Sequence, residues 1–218
     1  KAMEDRFDDI APCIACLLGC RGVTPGVAMT CVVNPALGRE KEMSIIPATQ
    51  TKKVMIVGAG PAGLETARIA ALRGHQVELY EKESRIGGQF NLAAVPPMKQ
   101  ELVKVLRYLL TQAEKAGVKV RLNSEVTPEI VAEVNPDVVV VATGGVPLVP
   151  NIKGIDGKNV VTAHDVLAVK LAIHGANVLV IGGGMVGCET AEFLANRGDN
   201  PIIGRTQVTI VEMLDDVA

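Results

Sequence analysis

Aromatic side chains are almost missing from this sequence: there is no Trp, with two Tyr and three Phe in 218 residues. Proteins that stack the bases of RNA or of a single DNA strand rely on such rings, so their scarcity argues against that class of partner. An excess of charge of one sign is missing too. Lys plus Arg number 22 and Asp plus Glu 24, a net charge of −2. Neither the basic face of a nucleic-acid binder nor an acidic tail can be built from that balance. The longest uncharged apolar runs, Val138 to Ala142 and Val178 to Ile181, are strand-sized, far short of the roughly 18 residues of a membrane span. The opening Lys-Ala-Met-Glu-Asp-Arg has no charged-then-apolar export signal and no initiator Met. The expectation is a cytoplasmic oxidation-sparing environment, no membrane partner, and a sequence that is a piece of something longer.

Hydrophobic residues make up 48% and Gly numbers 22. A core of Val, Ile, Leu and Ala with many tight turns suits a buried parallel sheet flanked by helices. Three zones separate by composition. Residues 1–50 carry four of the five cysteines and no clear period. Residues 51–170 alternate strand-like and helix-like segments. From 171 to 218 the alternation begins again, and Val54 to Glu81 resembles Val178 to Glu212. The repeat is a duplicated supersecondary unit.

The periodicity predicts strands at Lys53–Val57, Gln76–Tyr80, Val118–Leu122 and Asn177–Ile181, a buried strand at Asp137–Val141, and a strand at Val208–Val211. Helices are expected at Pro61–Arg73 with Gly74 as the stop, at Lys99–Ala116 with Leu102, Leu106, Leu109 and Leu110 at helical spacing, and at Met185–Arg197. Charges between Lys99 and Lys119 read as the solvated face of the middle helix. Strand alternating with helix implies parallel strands joined by right-handed crossovers.

Cys13, Cys16, Cys20 and Cys31 give C-x2-C-x3-C-x10-C. Three thiols within eight residues, without an export signal, point to metal rather than disulfides. An iron–sulfur cluster and zinc both accept four thiolates, and scattered core cysteines remain the third reading. Crowding of three ligands on one loop favours a cluster, and Gly19, Gly22 and Gly26 let backbone come close to it. Cys188 follows a glycine motif on an expected helix and reads as a small buried residue.

Val54 to Gly63 is a strand running into Gly58-x-Gly60-Pro61-Ala62-Gly63 and then a helix. Gly58 permits the tight turn, Gly60 admits a pyrophosphate at the helix N-terminus, and Gly63 lets helix and strand pack closely. The next strand ends in Glu81, placed to bond a ribose hydroxyl pair. The second copy is Gly182-Gly-Gly184-Met185-Val186-Gly187, with Glu212 as its strand-end acid. Its loop between helix and strand is seven residues longer, across Gly198 to Gln207. Glu212 would repel a 2′-phosphate, so this site favours NADH over NADPH, although Arg205 in the longer loop could accept one. The alternative for this copy is a repeat that packs and binds nothing.

Gly87-Gly88-Gln89 reads either as an ordinary loop or as backbone lining the first site. Ala142-Thr143-Gly144-Gly145 closes a strand with small residues, where the chain can cross close to a dinucleotide. His75, His164 and His174 read as solvated or capping residues. There is no G-x-S-x-G, no H-E-x-x-H and no paired-Cys motif after the first fingerprint, so hydrolase, zincin and disulfide-reductase readings lack their chemistry. No side chain is expected to act as a catalytic acid or base.

The order of these features, with Cys31-Val-Val-Asn-Pro-Ala-Leu-Gly38-Arg-Glu and Gly87-Gly-Gln-Phe-Asn-Leu-Ala-Ala, resembles one family across nearly the whole chain. It is similar to the C-terminal part of the 2,4-dienoyl-CoA reductase, trimethylamine dehydrogenase and NADH:flavin oxidoreductase family. The resemblance implies doubly wound, Rossmann-like α/β domains for FAD and NAD(P) behind a short irregular cysteine-rich segment. It implies that Cys13, Cys16, Cys20 and Cys31 hold a 4Fe-4S cluster. Gly58, Gly60, Pro61, Ala62, Gly63, Glu81, Gly88, Gln89, Ala142, Thr143 and Gly144 would line an FAD. Gly182, Gly184, Met185, Val186, Gly187 and Glu212 would serve NAD(H), with NADP(H) the lesser fit. The family's Old Yellow Enzyme-like barrel, with its FMN, is expected to lie N-terminal to this sequence in the same polypeptide, and further NAD and FAD segments beyond Ala218. The implied activity is electron transfer from NAD(P)H through FAD and the cluster to that barrel, for enoyl- or dienoyl-CoA-type reduction. The rival is a structural module holding an ADP-like nucleotide. Surfaces that partner domains would cover also suggest a homo-oligomer.

Overall fold

The computed structural model describes residues 1–21, 26, 28–171, 173, 177–196 and 206–217. Gly22, His174, Arg197, Gly198 and Arg205 lie outside them. Two compact units form, residues 1–90 with 101–144 and residues 91–100 with 145–218.

In the first unit, 3-10 turns at Ala2–Glu4 and Phe7–Asp9 open the chain, and the cysteine segment follows without regular structure. The strands are β1 (Lys53–Val57), β2 (Gln76–Tyr80), β3 (Lys119–Arg121) and β4 (Val138–Val141). They form one parallel sheet in the order β3-β2-β1-β4. The helices α1 (Pro61–Leu72), α3 (Leu102–Lys115) and α4 (Pro128–Val134) alternate with them along the chain, and the short α2 (Phe90–Ala93) begins where the chain leaves this unit at Phe90. Val54 and Ile56 of β1 and Val77 and Leu79 of β2 share one face. They pack with Leu64 and Ala67 of α1 and Val105, Leu106, Leu109 and Ala113 of α3. The apolar stripe of α3 is therefore what seats it on the sheet.

β1 and β2 occupy the expected residues, and α1 ends one residue early, at Leu72, with Gly74 left-handed at φ 93°. α3 starts three residues later than expected. Met98 stands left-handed at φ 64°, which a continuing helix does not tolerate, and Lys99 leaves the helix face to pair with Glu189. Its charge is therefore not part of the solvated face of α3. The strand expected to be buried at Asp137–Val141 is an edge strand, with Val139 and Val141 exposed. Asp137 stays outside it, and its Oδ2 accepts from the Lys53 amide at 2.7 Å.

The second unit contains α5 (Ala163–Leu167), β5 (Asn177–Ile181), α6 (Met185–Ala195) and β6 (Gln207–Val211). β5 and β6 pair in parallel. Leu179, Ile181 and Val211 are exposed on this pair. The helix start expected near His164 is that of α5, and its capping residue is Thr162. Thr162 Oγ1 accepts from the Asp165 amide at 3.2 Å and donates to Asp165 Oδ2 at 2.7 Å. That cap orients Val166 and Leu167 into the interior. Thr162→Ala should lower stability in urea unfolding by about 1 kcal/mol, the usual worth of an N-cap. No change in the midpoint would show that packing alone holds α5. Among the described residues, no helix is long and apolar enough to cross a membrane.

Candidate functional site: two glycine loops and a thiol loop

Parallel strands leave a crevice at their carboxyl ends, and ligands of open α/β sheets bind there. β1 ends at Gly58, whose φ of 105° turns the chain sharply into α1. The Gly58 amide donates to the Tyr80 carbonyl at 2.7 Å. Beyond β4, the Ala142 amide donates to the Val57 carbonyl at 2.8 Å, which brings the Ala142 carbonyl against Gly58. A side chain on Gly58 would strike that carbonyl, and one on Gly63 would strike the Gly58 carbonyl. Gly60 is different: it is the N-cap residue of α1, and open space surrounds its Cα. No side chain caps α1, so the positive end of the helix is free to meet an anion.

Glu81 is buried and fastens this loop. Its Oε2 accepts from the Ala59 amide at 2.8 Å and its Oε1 from the Glu83 amide at 2.9 Å. Its own amide donates to the Arg121 carbonyl at 2.9 Å, and its carbonyl accepts from Ser124 at 2.8 Å. The Gly87 amide donates to the Ala59 carbonyl at 2.8 Å, placing Gly88 and Gln89 at the same loop. Gly144 lies close to Gln89, near enough that a Cβ there would be 3.9 Å from Nε2. Gly58, Gly60, Pro61, Ala62, Gly63, Glu81, Gly88, Gln89, Ala142, Thr143 and Gly144 thus gather around the end of β1. The part played by the Ala59 backbone carries no side-chain signature, and sequence reading passed over it.

The second loop repeats this geometry. Gly182 has φ 103°, a side chain on Gly187 would strike the Gly182 carbonyl, and Gly184 is an open N-cap without a capping side chain. Met185 and Val186 form the exposed first turn of α6. Glu212 Oε2 accepts from the Gly183 amide at 2.6 Å, and Oε1 from Met213 at 2.7 Å and Leu214 at 3.0 Å. Gly183 and Ala59 are the same position of the motif, so each strand-end acid holds the same loop amide. These backbone donors hold the Glu212 carboxyl below its ordinary range, Gly183 first among them. A lowered pKa means the carboxylate's contribution is complete above the ordinary carboxylate range and is lost as pH falls.

The loops differ at the carbonyl of that residue. Ala59 accepts from the Gly87 backbone, whereas Gly183 accepts from the Cys188 thiol at 3.1 Å. Cys188 is half-buried rather than buried, and its thiol is engaged. Lys99 pairs with Glu189 beside it, an association across 90 positions that no local pattern signals. His75 Nδ1 accepts from the Lys52 amide at 3.2 Å, in keeping with a structural histidine.

Cys13, Cys16 and Cys20 are exposed, Cys31 is half-buried, and all are free thiols. Ala15 and Leu17 are left-handed, at φ 53° and 55°, which coils the segment tightly. The Thr30 amide donates to the Gly19 carbonyl at 3.1 Å, setting the Cys20 and Cys31 stretches side by side. The Ala15 amide donates to Cys13 Sγ at 3.3 Å. Among the described residues, no three His, Cys, Asp or Glu side chains converge on a metal position. The donor types, four free thiols with an amide donating to one sulfur, are those of a thiolate-bound group, although their side chains do not converge on one position.

Two uncapped glycine loops at the ends of parallel strands, each fixed by a strand-end acid, define a Rossmann-type nucleotide-binding oxidoreductase. The pattern of the pyridine nucleotide-disulphide oxidoreductase family matches residues 52–218, and the chain belongs to that family. It is 45% identical to NADH oxidase of Thermoanaerobacter brockii over 100% of this chain and 33% of that protein. It is 41% identical to cinnamate reductase of Clostridium sporogenes, over 100% of this chain and 31% of the relative. A solved 2-naphthoyl-CoA reductase in complex with 2-naphthoyl-CoA superposes with a TM-score of 0.86 at 41% identity, over 96% of this chain and 31% of that one. The chain thus spans about a third of the length of these relatives.

Proposed function

We propose that this chain is the electron-input part of a larger flavin-dependent reductase. FAD occupies the loop at Gly58, Gly60 and Gly63, and NADH the loop at Gly182, Gly184 and Gly187. Cys13, Cys16, Cys20 and Cys31 hold a 4Fe-4S cluster. In this reading residues 1–50 are the cluster segment, 51–170 the first part of the FAD domain, and 171 onward the start of the NAD domain. The observation that carries it is the doubled loop: two open helix N-termini, each with an acid fixed to the same backbone amide. When bound, FAD accepts a hydride and the cluster passes single electrons.

The chain's own residues bind and orient. The first turns of α1 and α6 offer backbone donors to a pyrophosphate. Glu81 and Glu212 each keep unused lone pairs for ribose hydroxyls. The negative charge at Glu212 disfavours a 2′-phosphate, hence NADH. Free, exposed thiols suit a reducing cytoplasm. The acceptor would be an FMN-bearing barrel of the same polypeptide. Among the relatives, cinnamate reductase is named for an α,β-unsaturated acid and 2-naphthoyl-CoA reductase for a CoA thioester. These names support an enoyl- or dienoyl-type final substrate, and the second alone supports a thioester.

The test is an anaerobic absorption spectrum of the purified chain before and after NADH. The expected result is a flavin band on a broad sulfur-to-iron shoulder, both lost on reduction. Cys31→Ser should remove the shoulder and spare the flavin band. A colourless chain that still binds ADP would overturn the electron-input reading in favour of a structural nucleotide-binding module.

A further inference from the structure

The thiol loop is fastened at one residue that the proposed chemistry does not use. Asp9 lies four positions before Cys13, in the turn Phe7–Asp9. Its Oδ1 accepts from Lys115 Nζ at 2.8 Å and from Gln112 Nε2 at 3.0 Å, both on the last turns of α3. Its Oδ2 accepts from Arg6 Nη1 at 2.9 Å. Gln112 Nε2 also reaches the Asp8 carbonyl at 2.9 Å, and Lys1 Nζ the Asp9 carbonyl at 2.7 Å. The carboxylate is only 15% exposed. Charge-assisted bonds from three side chains make it a hub rather than a single surface pair.

Apolar packing under the loop is loose by comparison. Ile14 and Val33 touch the core only partly buried. Between them and Pro61, Phe90, Val105 and Leu109 lies a mostly apolar cleft of about 190 Å³, partly open to solvent. Loop and helices are therefore not in continuous apolar contact there.

We propose that Asp9 is the positioning residue of the thiol loop. By tying the turn at Phe7–Asp9 to the end of α3, it holds Cys13–Cys20 against the first nucleotide unit before any metal is bound. What the loop carries rests on the cluster reading above; the fastening does not.

The test uses the full 218-residue chain, reduced and stripped of iron by a chelator, with hydrogen exchange read residue by residue. Asp9→Ala should raise exchange at the Ile10 and Thr30 amides about tenfold and leave the Leu64 amide of α1 unchanged, the signature of local opening. Lys115→Met should reproduce part of this from the helix side, and Asp9→Glu should restore protection. Ile14→Ala should have the smaller effect. If Asp9→Ala exchanges like the parent while Ile14→Ala opens the loop, apolar packing is the fastener and the proposal fails. It fails equally if Ile10 and Thr30 are unprotected in the parent chain. In a second arm, Asp9→Ala should take up iron and sulfide several-fold more slowly and reach the same final content. A parent chain that takes up no iron overturns the cluster reading, and the exchange result still decides this one.

Discussion

Gly63→Ala is expected to destabilise the first unit by about 3 kcal/mol and to abolish flavin retention. Helix propensity alone argues the other way, because Ala in place of Gly inside a helix gains about 1 kcal/mol. The clash decides the sign. Gly63 is the third residue of α1, and the added carbon would fall on the Gly58 carbonyl oxygen. That oxygen belongs to backbone fixed by the Tyr80 carbonyl on one side and crossed by Ala142 on the other. It cannot swing aside as a flexible side chain would, and overpacking of a tight site costs about 1–3 kcal/mol or more. Urea unfolding of the chain measures it. Gly60→Ala is the matched control. Its φ of −73° suits any residue, and its added carbon meets nothing within 4 Å. Stability should change by less than about 0.5 kcal/mol, while nucleotide binding falls, since the methyl occupies the approach of the pyrophosphate. Equal unfolding midpoints for the two variants would show that the Gly63 contact relaxes at little cost.

Glu81→Ala is the second large effect, about 3 kcal/mol. Removing the carboxylate strands the Ala59 amide in a buried position, while water can take over the amide of the exposed Glu83. Each unsatisfied buried donor costs about 1–3 kcal/mol. Glu81→Gln keeps one acceptor and should lose roughly half as much. The same change at Glu212, half-buried and open to water, should lose less, because solvent can take over its amides. Parallel unfolding curves with ADP and NADH titrations separate the two effects. Equal losses at Glu81 and Glu212 would mean that burial is not what makes the first acid critical.

These expectations also show how far the sequence could be read. The glycine loops were legible because each turn forces a residue type: Gly58 at positive φ, Gly63 and Gly187 at a backbone-to-backbone approach. β1, β2 and β5 were legible to the residue, and in β1 and β5 this is because an apolar run stops at a glycine loop. What failed was decided elsewhere in the chain. The start of α3 moved because Met98 turns left-handed and Lys99 finds Glu189, 90 positions away. β4 reads Val-Val-Val-Val, which looks buried on both faces, yet its place at the sheet edge exposes Val139 and Val141. α4 begins at Pro128 behind Thr127, whose side chain accepts from Ile130. The capping signal was in the sequence, but seven residues give too little period to weigh against a loop. The hub at Asp9 joins residues more than 100 positions apart, and nothing local marks it.

The shared fastening of Ala59 by Glu81 and of Gly183 by Glu212 bears on how quickly and tightly such loops take their ligands. A glycine-rich turn left to itself samples many conformations, and a ligand that must select one loses affinity in proportion. Here the turn is frozen by an acid within its own fold, so that ordering is completed when the chain folds. Binding then draws little on loop entropy. Calorimetry should register nucleotide association without the large unfavourable entropy of a loop that folds around its guest.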